Sequence, residues 1–161
     1  MLVKSKEYWM EKALVLAQEA AANNEVPVGA IVVLNNEIIG KGSNSPIHSS
    51  DPTAHAEIIA LRQAAKAIDN YRLTEADLYV TLEPCAMCAG AIVHSRIRNL
   101  YFGAYEAKAG AVKSNLNLLD QSCMNHKVTV FSGVCEEECG QTISSFFSRR
   151  RLEKKAAKVL K

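Results

Sequence analysis

The order of the predicted elements indicates an α/β sandwich with a mixed five-stranded sheet. Helical segments alternate with short runs of apolar and β-branched residues, in the order α-β-β-α-β-α-β-β-α. The first two strands are close enough in sequence to form a hairpin, which makes at least one strand pair antiparallel. With 161 residues, 48% of them apolar and 22% charged, the chain has the length and composition of one globular domain. We therefore treat residues 1–161 as a single domain.

The beginning of the chain predicts a helix followed by a β-hairpin. Over residues 5–23, apolar side chains recur at helical spacing, and Ser5 is a suitable N-cap. Residues 26–34 form a β-branched run typical of a strand, and residues 37–42 form a second one. The asparagine pair between them favours a tight two-residue turn. We expect these two strands to be antiparallel neighbours.

The remainder of the chain predicts a loop, three helices and three strands. Two prolines mark residues 44–53 as a loop, and a helix follows over about 54–68. A buried strand at 77–82 leads to a helix that we expect Pro84 to open and that ends near His94, because proline is tolerated at the first helical position. The last two strands and the C-terminal helix are predicted at 99–103, 127–133 and 136–161.

Several classes of protein are disfavoured by composition. No apolar run reaches the ~18 residues that a membrane-spanning helix needs. The first residues lack the uninterrupted apolar segment of a secretory signal, so we expect a cytoplasmic protein. In that compartment the five cysteines are expected to be thiols or metal ligands rather than disulfides.

The net charge of +2 is unevenly distributed along the chain. Residues 149–161 carry a net charge of +6, and the remaining 148 residues carry −4. A basic segment on an acidic body suits a phosphate backbone. It equally suits a solvated helix end, because cations favour helix C-termini. Charge alone leaves both interpretations open.

Three residues have the character and spacing of zinc ligands. Cys85 and Cys88 are three apart at a predicted helix start, so both sulfurs can reach one point. The positive end of the helix dipole lowers the pKa of such thiols. His55, at the start of the preceding helix, can supply a third ligand. Thiolate and imidazole together favour zinc over magnesium or calcium.

A fourth ligand of the same character is not evident. Cys135 and Cys139 are four apart and could form a second helical pair, but they are more typical of small core residues. Cys123 precedes a strand and is interpreted as a packing residue or a free thiol. A site with three protein ligands keeps one position open for water, which is typical of catalytic zinc.

Glu57 is the candidate proton carrier beside this site. Zinc lowers the pKa of a bound water toward ~7, and the reaction then needs a group that accepts its proton. The pattern His55-x-Glu57 followed by Pro-Cys-x-x-Cys is the signature of zinc deaminases, in which the glutamate is a general acid/base and not a ligand. Each half of the pattern is weak alone, and the two halves together predict a deaminase.

The sequence resembles the cytidine deaminase superfamily and, within it, the bacterial tRNA-specific adenosine deaminases. The resemblance implies a three-layer α/β/α sandwich, one Zn²⁺ per subunit and a homodimer. It also implies hydrolytic deamination of the wobble adenosine (position 34) in the anticodon stem-loop of a tRNA, expected to be an arginine tRNA. The segments that carry it are residues 25–33, 44–47, 51–64, 70–97, 102–104, 124–128 and 146–151.

The resemblance also implies which residues contact the substrate. Asn44 would hold the target nucleotide, although it could be a turn residue beside a proline. Val28 and Ala56 would line the base, although either could be a packing residue. Phe146 and Phe147 are adjacent on a helix, so we expect one of them to anchor that helix to the core. The remaining implied RNA contacts are Lys108, Asn125, Phe146, Arg149 and Arg150.

One position departs from the family pattern. Two residues after the motif Phe-Gly-Ala the family usually has aspartate, and this chain has Glu106. We expect Glu106 to contact the nucleotide that flanks the target, with one additional methylene in its side chain. Lys113 and Asn115, further along the same loop, are also less typical.

Three other functions remain open. A deaminase of a free base or nucleoside, such as guanine, cytosine or cytidine, would use the same zinc chemistry, but it has no need of the basic C-terminal segment. A zinc-stapled nucleic-acid-binding module predicts a closed four-ligand site and gives Glu57 no role. A thiol oxidoreductase would use Cys85 and Cys88 but neither His55 nor Glu57.

Overall fold

The computed structural model describes residues 2–160 and contains a five-stranded sheet with helices on both faces. The strands lie in the order β2-β1-β3-β4-β5. In chain order the elements are α1 (Lys6–Ala22), β1 (Gly29–Leu34), β2 (Glu37–Ser43), α2 (Pro46–Ser49), α3 (Ala56–Ala67), β3 (Asp77–Leu82), α4 (Ala86–His94), β4 (Asn99–Ala104), a 3₁₀ turn (Leu118–Asp120), β5 (Thr129–Phe131) and α5 (Glu136–Val159).

The sheet is mixed, as the sequence predicted. β1 is antiparallel to both β2 and β3, whereas β3, β4 and β5 are mutually parallel. Asn35 and Asn36 form the turn between β1 and β2 with positive φ angles of 50° and 63°. Such angles at both central residues define the turn that matches the twist of a β-hairpin, and asparagine adopts them readily.

The two faces of β1 show the three-layer arrangement. Ala30 and Val32 point into a core shared with α3 and α4, whereas Ile31 and Val33 pack with α1 and the start of α5. Alternation of side chains along a strand sends successive residues to opposite faces of the sheet. All four side chains are buried, so both faces are covered. The predicted α/β/α sandwich is confirmed.

Two glycines let α3 lie unusually close to the sheet. A Cβ on Gly42 would meet the backbone oxygen of Ala56, and a Cβ on Gly40 would meet that of Ala60. A side chain at either position would therefore push the helix away from β2. Because Ala56 is the first residue of α3, Gly42 fixes where that helix begins.

Several predicted elements differ from the structure by a few residues, among them α3, which starts at Ala56 rather than at residue 54. The segment 44–53 is not entirely loop, because it contains the single-turn helix α2. Helix α4 begins at Ala86 rather than at Pro84, because Cys85 is its N-cap and still has extended backbone (φ −77°, ψ 177°). β1 starts three residues later than predicted, and β5 keeps only three residues. Among residues 2–160, no helix is both long and apolar enough to cross a membrane.

Candidate active site

The candidate site lies at the edge of the sheet where β3 ends and β1 begins. Gly29 pairs with Ser43, and Leu82 pairs with Ala104, so these four strand ends share one edge. The chain that leaves β2 returns into α3 at this edge, and the chain that leaves β3 enters α4 there. Side chains at the starts of both helices therefore meet, as is common for binding sites in α/β folds.

His55, Cys85 and Cys88 converge at the starts of these two helices. His55 is the N-cap of α3, and Cys85 is the N-cap of α4. The Nδ1 atom of His55 lies 3.6 Å from Sγ of Cys85 and 3.5 Å from Sγ of Cys88. The three ligand atoms all lie within 4.8 Å of one another. The predicted metal-ligating set is thus brought together, and its geometry can hold one metal ion.

Cys85 is held in the form that binds a metal, whereas the hydrogen bond with Cys85 and burial raise the pKa of Cys88, so Cys88 must lose its proton when a metal binds. Hydrogen bonds from Cys88 and His55 lower the pKa of Cys85 to about 3. The same hydrogen bond with Cys85 raises the pKa of His55, against the opposing effect of burial. Cys85 is therefore a thiolate at neutral pH, and the thiolate is the form of cysteine that ligates metals.

Glu57 is buried beside the three ligands. It is the second residue of α3 and only 4% exposed. Burial raises the pKa of its carboxyl group. A carboxyl group whose pKa is raised toward neutrality can both accept and return a proton. Its position matches the predicted role of proton carrier.

A cavity of about 240 Å³ opens next to the three ligands. Of the residues predicted to contact substrate, Val28, Asn44 and Glu106 border it. Ala56 does not: its side chain is fully buried in the core under β2, because α3 approaches the sheet so closely there. The complete lining is Val26, Val28, Asn44, His55, Glu57, Leu82, Glu83, Cys85, Glu106 and Ala109.

Asn44 connects the cavity to the start of α3. Its Oδ1 accepts a hydrogen bond of 2.8 Å from the backbone N–H of Ala56. His55 occupies the N-cap position but makes no side-chain capping bond. Asn44 therefore supplies the cap that the His55 side chain does not provide.

Glu83 is a cavity residue to which sequence reasoning gave no role. Its side chain is 3% exposed and accepts hydrogen bonds from the loop of residues 105–115. Although burial opposes ionisation, the hydrogen bonds from this loop outweigh it and lower the pKa of Glu83. The signal in the sequence was an acid between a buried strand and Pro84, where an apolar residue would be ordinary.

The predicted RNA-contact residues on loops, Lys108 and Asn125, lie outside the cavity, as do those on α5. Lys108 is exposed on the 105–115 loop, and its backbone N–H donates to Glu106 Oε1 at 2.9 Å. Asn125 is exposed in a separate surface groove formed by residues 119–127. The atypical Lys113 and Asn115 belong to the 105–115 loop, and the Asn115 amide holds that loop together through Ala107 O and Gly110 O.

Of the two adjacent phenylalanines on α5, one is buried and the other is exposed, as expected. Phe146 is 6% exposed, whereas Phe147 is 42% exposed. Phe146 is thus the residue that anchors the helix, and Phe147 offers the ring surface that was assigned to Phe146. Arg149 lies over the ring of Phe146 and donates to Ala21 O at 3.0 Å.

The arginines of α5 are partly engaged within the chain. Arg149 and Arg150 both form ion pairs with Glu153, at 3.7 and 2.7 Å. These pairs are about half exposed, so they contribute little to stability and can exchange for other partners. Arg151, Lys154, Lys155 and Lys158 are exposed along the same helix.

The other cysteines form no metal site among residues 2–160. Cys139 is buried in the core, as predicted, and burial raises the pKa of its thiol to about 12. Cys135 is half-buried at the N-cap of α5, with a positive φ of 53°. Cys123 is an exposed thiol in a loop.

The chain matches known deaminases over nearly its whole length. The family model of MafB19-like deaminases matches residues 4–151. A tRNA-specific adenosine deaminase of Haemophilus influenzae is 57% identical over 155 residues, which cover 96% of this chain and 90% of the relative. A tRNA-specific adenosine deaminase of Bacillus subtilis is 45% identical and covers 94% of each chain.

Solved structures share this fold, and one of them has the same family assignment. A structure from studies of A-to-I editing by tRNA:A34 deaminases has a TM-score of 0.82 and 46% identity, covering 84% of this chain and 98% of that one. A guanine deaminase of Nitrosomonas europaea shares the fold, with a TM-score of 0.78 at 23% identity. The fold, the converging His-Cys-Cys ligand set and the adjacent buried glutamate accord with these similarities. The chain belongs to the family of tRNA-specific adenosine deaminases.

Proposed function

We propose that this chain is a zinc-dependent hydrolase that deaminates adenosine to inosine at wobble position 34 of a tRNA anticodon. The observation that carries the proposal is the three-ligand metal site with a buried carboxyl group, Glu57, beside it in a cavity of about 240 Å³. The assignment to tRNA is supported by the relatives, which are named tRNA-specific adenosine deaminases. Arginine tRNA, implied by the resemblance, is the first substrate to test.

The donor atoms fit zinc. Zinc binds thiolate sulfur at about 2.3 Å and imidazole nitrogen at about 2.0–2.1 Å, so the two atoms lie about 3.5 Å apart across a tetrahedral angle. The corresponding distances from Nδ1 of His55 are 3.6 and 3.5 Å. His55, Cys85 and Cys88 would hold the ion with one position open. When bound there, zinc lowers the pKa of a water molecule toward ~7.

Glu57 moves the protons of the reaction. Its carboxylate accepts one proton from the attacking water and delivers it to N1 of adenine while the water oxygen bonds to C6. It then takes the second proton from that oxygen and delivers it to the amino nitrogen on C6. The C6–N bond breaks, ammonia leaves and inosine remains. Burial supports this role, because it raises the pKa of the carboxyl group and makes it easier to protonate.

The other cavity residues position the nucleotide. Val28 presents an apolar wall against which a base can pack. The Oδ1 atom of Asn44 is bonded to Ala56 N–H, so its Nδ2 amide is the group that can donate to the substrate. Glu106 borders the cavity from the 105–115 loop and can contact the neighbouring nucleotide. An anticodon loop is single-stranded, so its bases can be splayed into such a cavity at modest cost.

The C-terminal helix α5 contributes the RNA-binding surface. Its exposed ring, Phe147, can stack on a base, and its arginines and lysines can meet phosphates. Arg149 and Arg150 exchange Glu153 for phosphate in this proposal. Lys108 and Asn125 would add contacts from two other loops.

Assembly and location complete the proposal. The active unit is a homodimer of the single domain 1–161, as the resemblance implies, and size-exclusion chromatography with light scattering tests it by molar mass. A mature tRNA substrate would place the protein in the cytoplasm.

A direct product assay tests the proposal. Purified protein would be incubated with an arginine tRNA anticodon stem-loop that carries adenosine at the wobble position, and separately with free adenosine, cytidine and guanine. Inosine and released ammonia would be measured. Inosine at the wobble position only is the expected result, and a stem-loop with guanosine at that position is the control.

The rival functions predict other results. Ammonia from a free base or nucleoside, with the RNA unchanged, would assign the same site to a small substrate. RNA binding and bound zinc without any ammonia would indicate a zinc-stapled binding module. The three-ligand geometry disfavours that module, because a structural zinc site is normally closed by four protein ligands.

A further inference from the structure

The carboxylate of Glu83 is the anchor of the loop of residues 105–115. Its Oε1 accepts from Glu106 N–H at 3.1 Å and from the hydroxyl of Ser114. Its Oε2 accepts from three consecutive backbone N–H groups, those of Val112, Lys113 and Ser114, at 3.2, 2.8 and 2.9 Å. One buried side chain thus holds both ends of the loop.

These bonds leave Glu83 no capacity for chemistry of its own. An ionised carboxylate offers about four lone-pair positions, and five hydrogen bonds already converge on it. Glu83 borders the cavity together with Glu57 but cannot accept a further proton or bind substrate without releasing the loop. Glu83 can therefore affect the site only through the residues of the 105–115 loop that it holds.

The loop is shaped to close on this carboxylate. A Cβ on Gly110 would collide with the Glu83 carboxyl group and with Glu106 O. Pro84, directly before Cys85, adds one more hydrogen bond to the loop, because its backbone oxygen accepts from Ala111 N–H at 2.9 Å. The residues directly before the metal ligand Cys85 thus fix the loop that carries Glu106 and Lys108.

We propose that Glu83 is a positioning residue that fixes the 105–115 loop in the shape that presents Glu106 and Lys108 to the substrate. The inference rests on the proposed function, in which this loop contacts the nucleotide beside the target. It assigns Glu83 to substrate specificity and binding, and leaves proton transfer to Glu57. The flanking nucleotide would then be recognised by the 105–115 loop, and that loop would be fixed by Glu83, two residues before the proposed ligand Cys85.

The variant E83Q tests this role with two readouts. Glutamine keeps the size of the side chain, but its amide –NH₂ group faces backbone N–H donors and cannot accept from them. We expect the KM for the stem-loop to rise roughly tenfold, the scale of losing hydrogen bonds to a charged group, with kcat within a factor of about two. Amide exchange of residues 106 and 112–114 should accelerate in the protein without RNA. E75Q, the same change at an exposed carboxylate, is the matched control and should alter neither readout.

Two further variants keep the test decisive. S114A removes only the hydroxyl donor to Glu83 and should raise KM by a smaller factor, which covers the case that E83Q folds poorly. In a double-mutant cycle with E106A, the effects of E83Q and E106A on KM should overlap rather than multiply, because both act through the same contact. Multiplying effects would overturn the proposed route through Glu106.

The remaining outcomes are also informative. A lower kcat with unchanged KM, or an unchanged KM in both E83Q and S114A, would overturn the positioning role. If wild-type protein does not deaminate the stem-loop, the proposed function fails. The anchoring is then judged by amide exchange alone: accelerated exchange in E83Q would support it, and unchanged exchange would overturn it.

Discussion

Replacing Glu57 with glutamine tests the assignment of the proton carrier. The change keeps the shape of a side chain that is only 4% exposed, but it removes the ability to accept a proton. Glu83 and Glu106, the other two carboxylates of the cavity, are bonded to backbone N–H groups of the 105–115 loop. The bonds to Glu83 occupy its carboxylate, and Glu106 is assigned to the neighbouring nucleotide, so we expect neither to replace Glu57.

The expected loss follows from the number of protons that Glu57 transfers. A positioned acid or base contributes roughly 10²–10⁴-fold to one proton transfer. Both transfers of the proposed reaction pass through this one carboxyl group, so E57Q should lower kcat on the order of 10⁴-fold or more. Zinc content and RNA affinity should stay near those of the wild type, because Glu57 is not among the three ligands.

Single-turnover inosine formation, metal analysis and RNA binding measure these three quantities. E75Q, at a carboxylate that is 74% exposed, serves as the control for the same chemical change and should keep full activity. Activity of E57Q within about tenfold of the wild type would refute the assigned role, because a general base contributes more than that. Loss of zinc from E57Q would instead make Glu57 part of the metal site.

Three other changes give separable results. C85A should lose bound zinc together with activity, and full zinc content by metal analysis in an inactive variant would contradict the ligand role. Removal of residues 149–161 should weaken stem-loop binding and reduce its salt slope by about 0.7 for each lost contact to a phosphate of the single-stranded loop, so by about 2 for three contacts; an unchanged slope would mean a solvated helix end. Burial opposes ionisation of Glu25, but hydrogen bonds from His48 and Ile47 outweigh it and lower its pKa. Its stabilising effect is therefore present above its unfolded pKa of about 4.5 and is lost as the pH falls below that value. E25Q should lower the free energy of unfolding by about 2 kcal/mol at pH ~7, with a smaller difference at pH ~3 in urea titrations.

The cysteine pair of the candidate metal site could be predicted from the sequence because its spacing is local. The spacing of Cys85 and Cys88 places both sulfurs within reach of one point whichever residue starts the helix. The error of two residues at the start of α4 therefore left the ligand prediction intact. His55 lies 30 and 33 residues before the two cysteines, and it was found together with Glu57 because His-x-Glu followed by Pro-Cys-x-x-Cys is the signature of zinc deaminases.

Residues whose role depends on distant partners could not be predicted in this way. The donors to Glu83 lie 23 to 31 residues further along the chain, in a loop without a periodic pattern. The choice between Phe146 and Phe147 depended on the orientation of α5 against α1, which adjacent residues on a helix do not reveal. That Ala56 lies in the core could not be predicted either, because the closeness of α3 to β2 depends on Gly42, a contact across the fold.

The starts of α3 and α4 bring the candidate metal ligands and the proposed substrate cavity together. His55 and Cys85 are N-cap residues with extended backbone, and neither side chain caps its own helix. A missing cap costs about 1 kcal/mol, and at α3 Asn44 supplies the bond instead. The side chain that stabilises the turn carrying His55 is thus the same one whose amide borders the cavity. In the proposed complex, Asn44 would therefore bind the nucleotide with its amide while its Oδ1 holds the backbone next to His55. The distance between the nucleotide and His55 would then be fixed by this one residue.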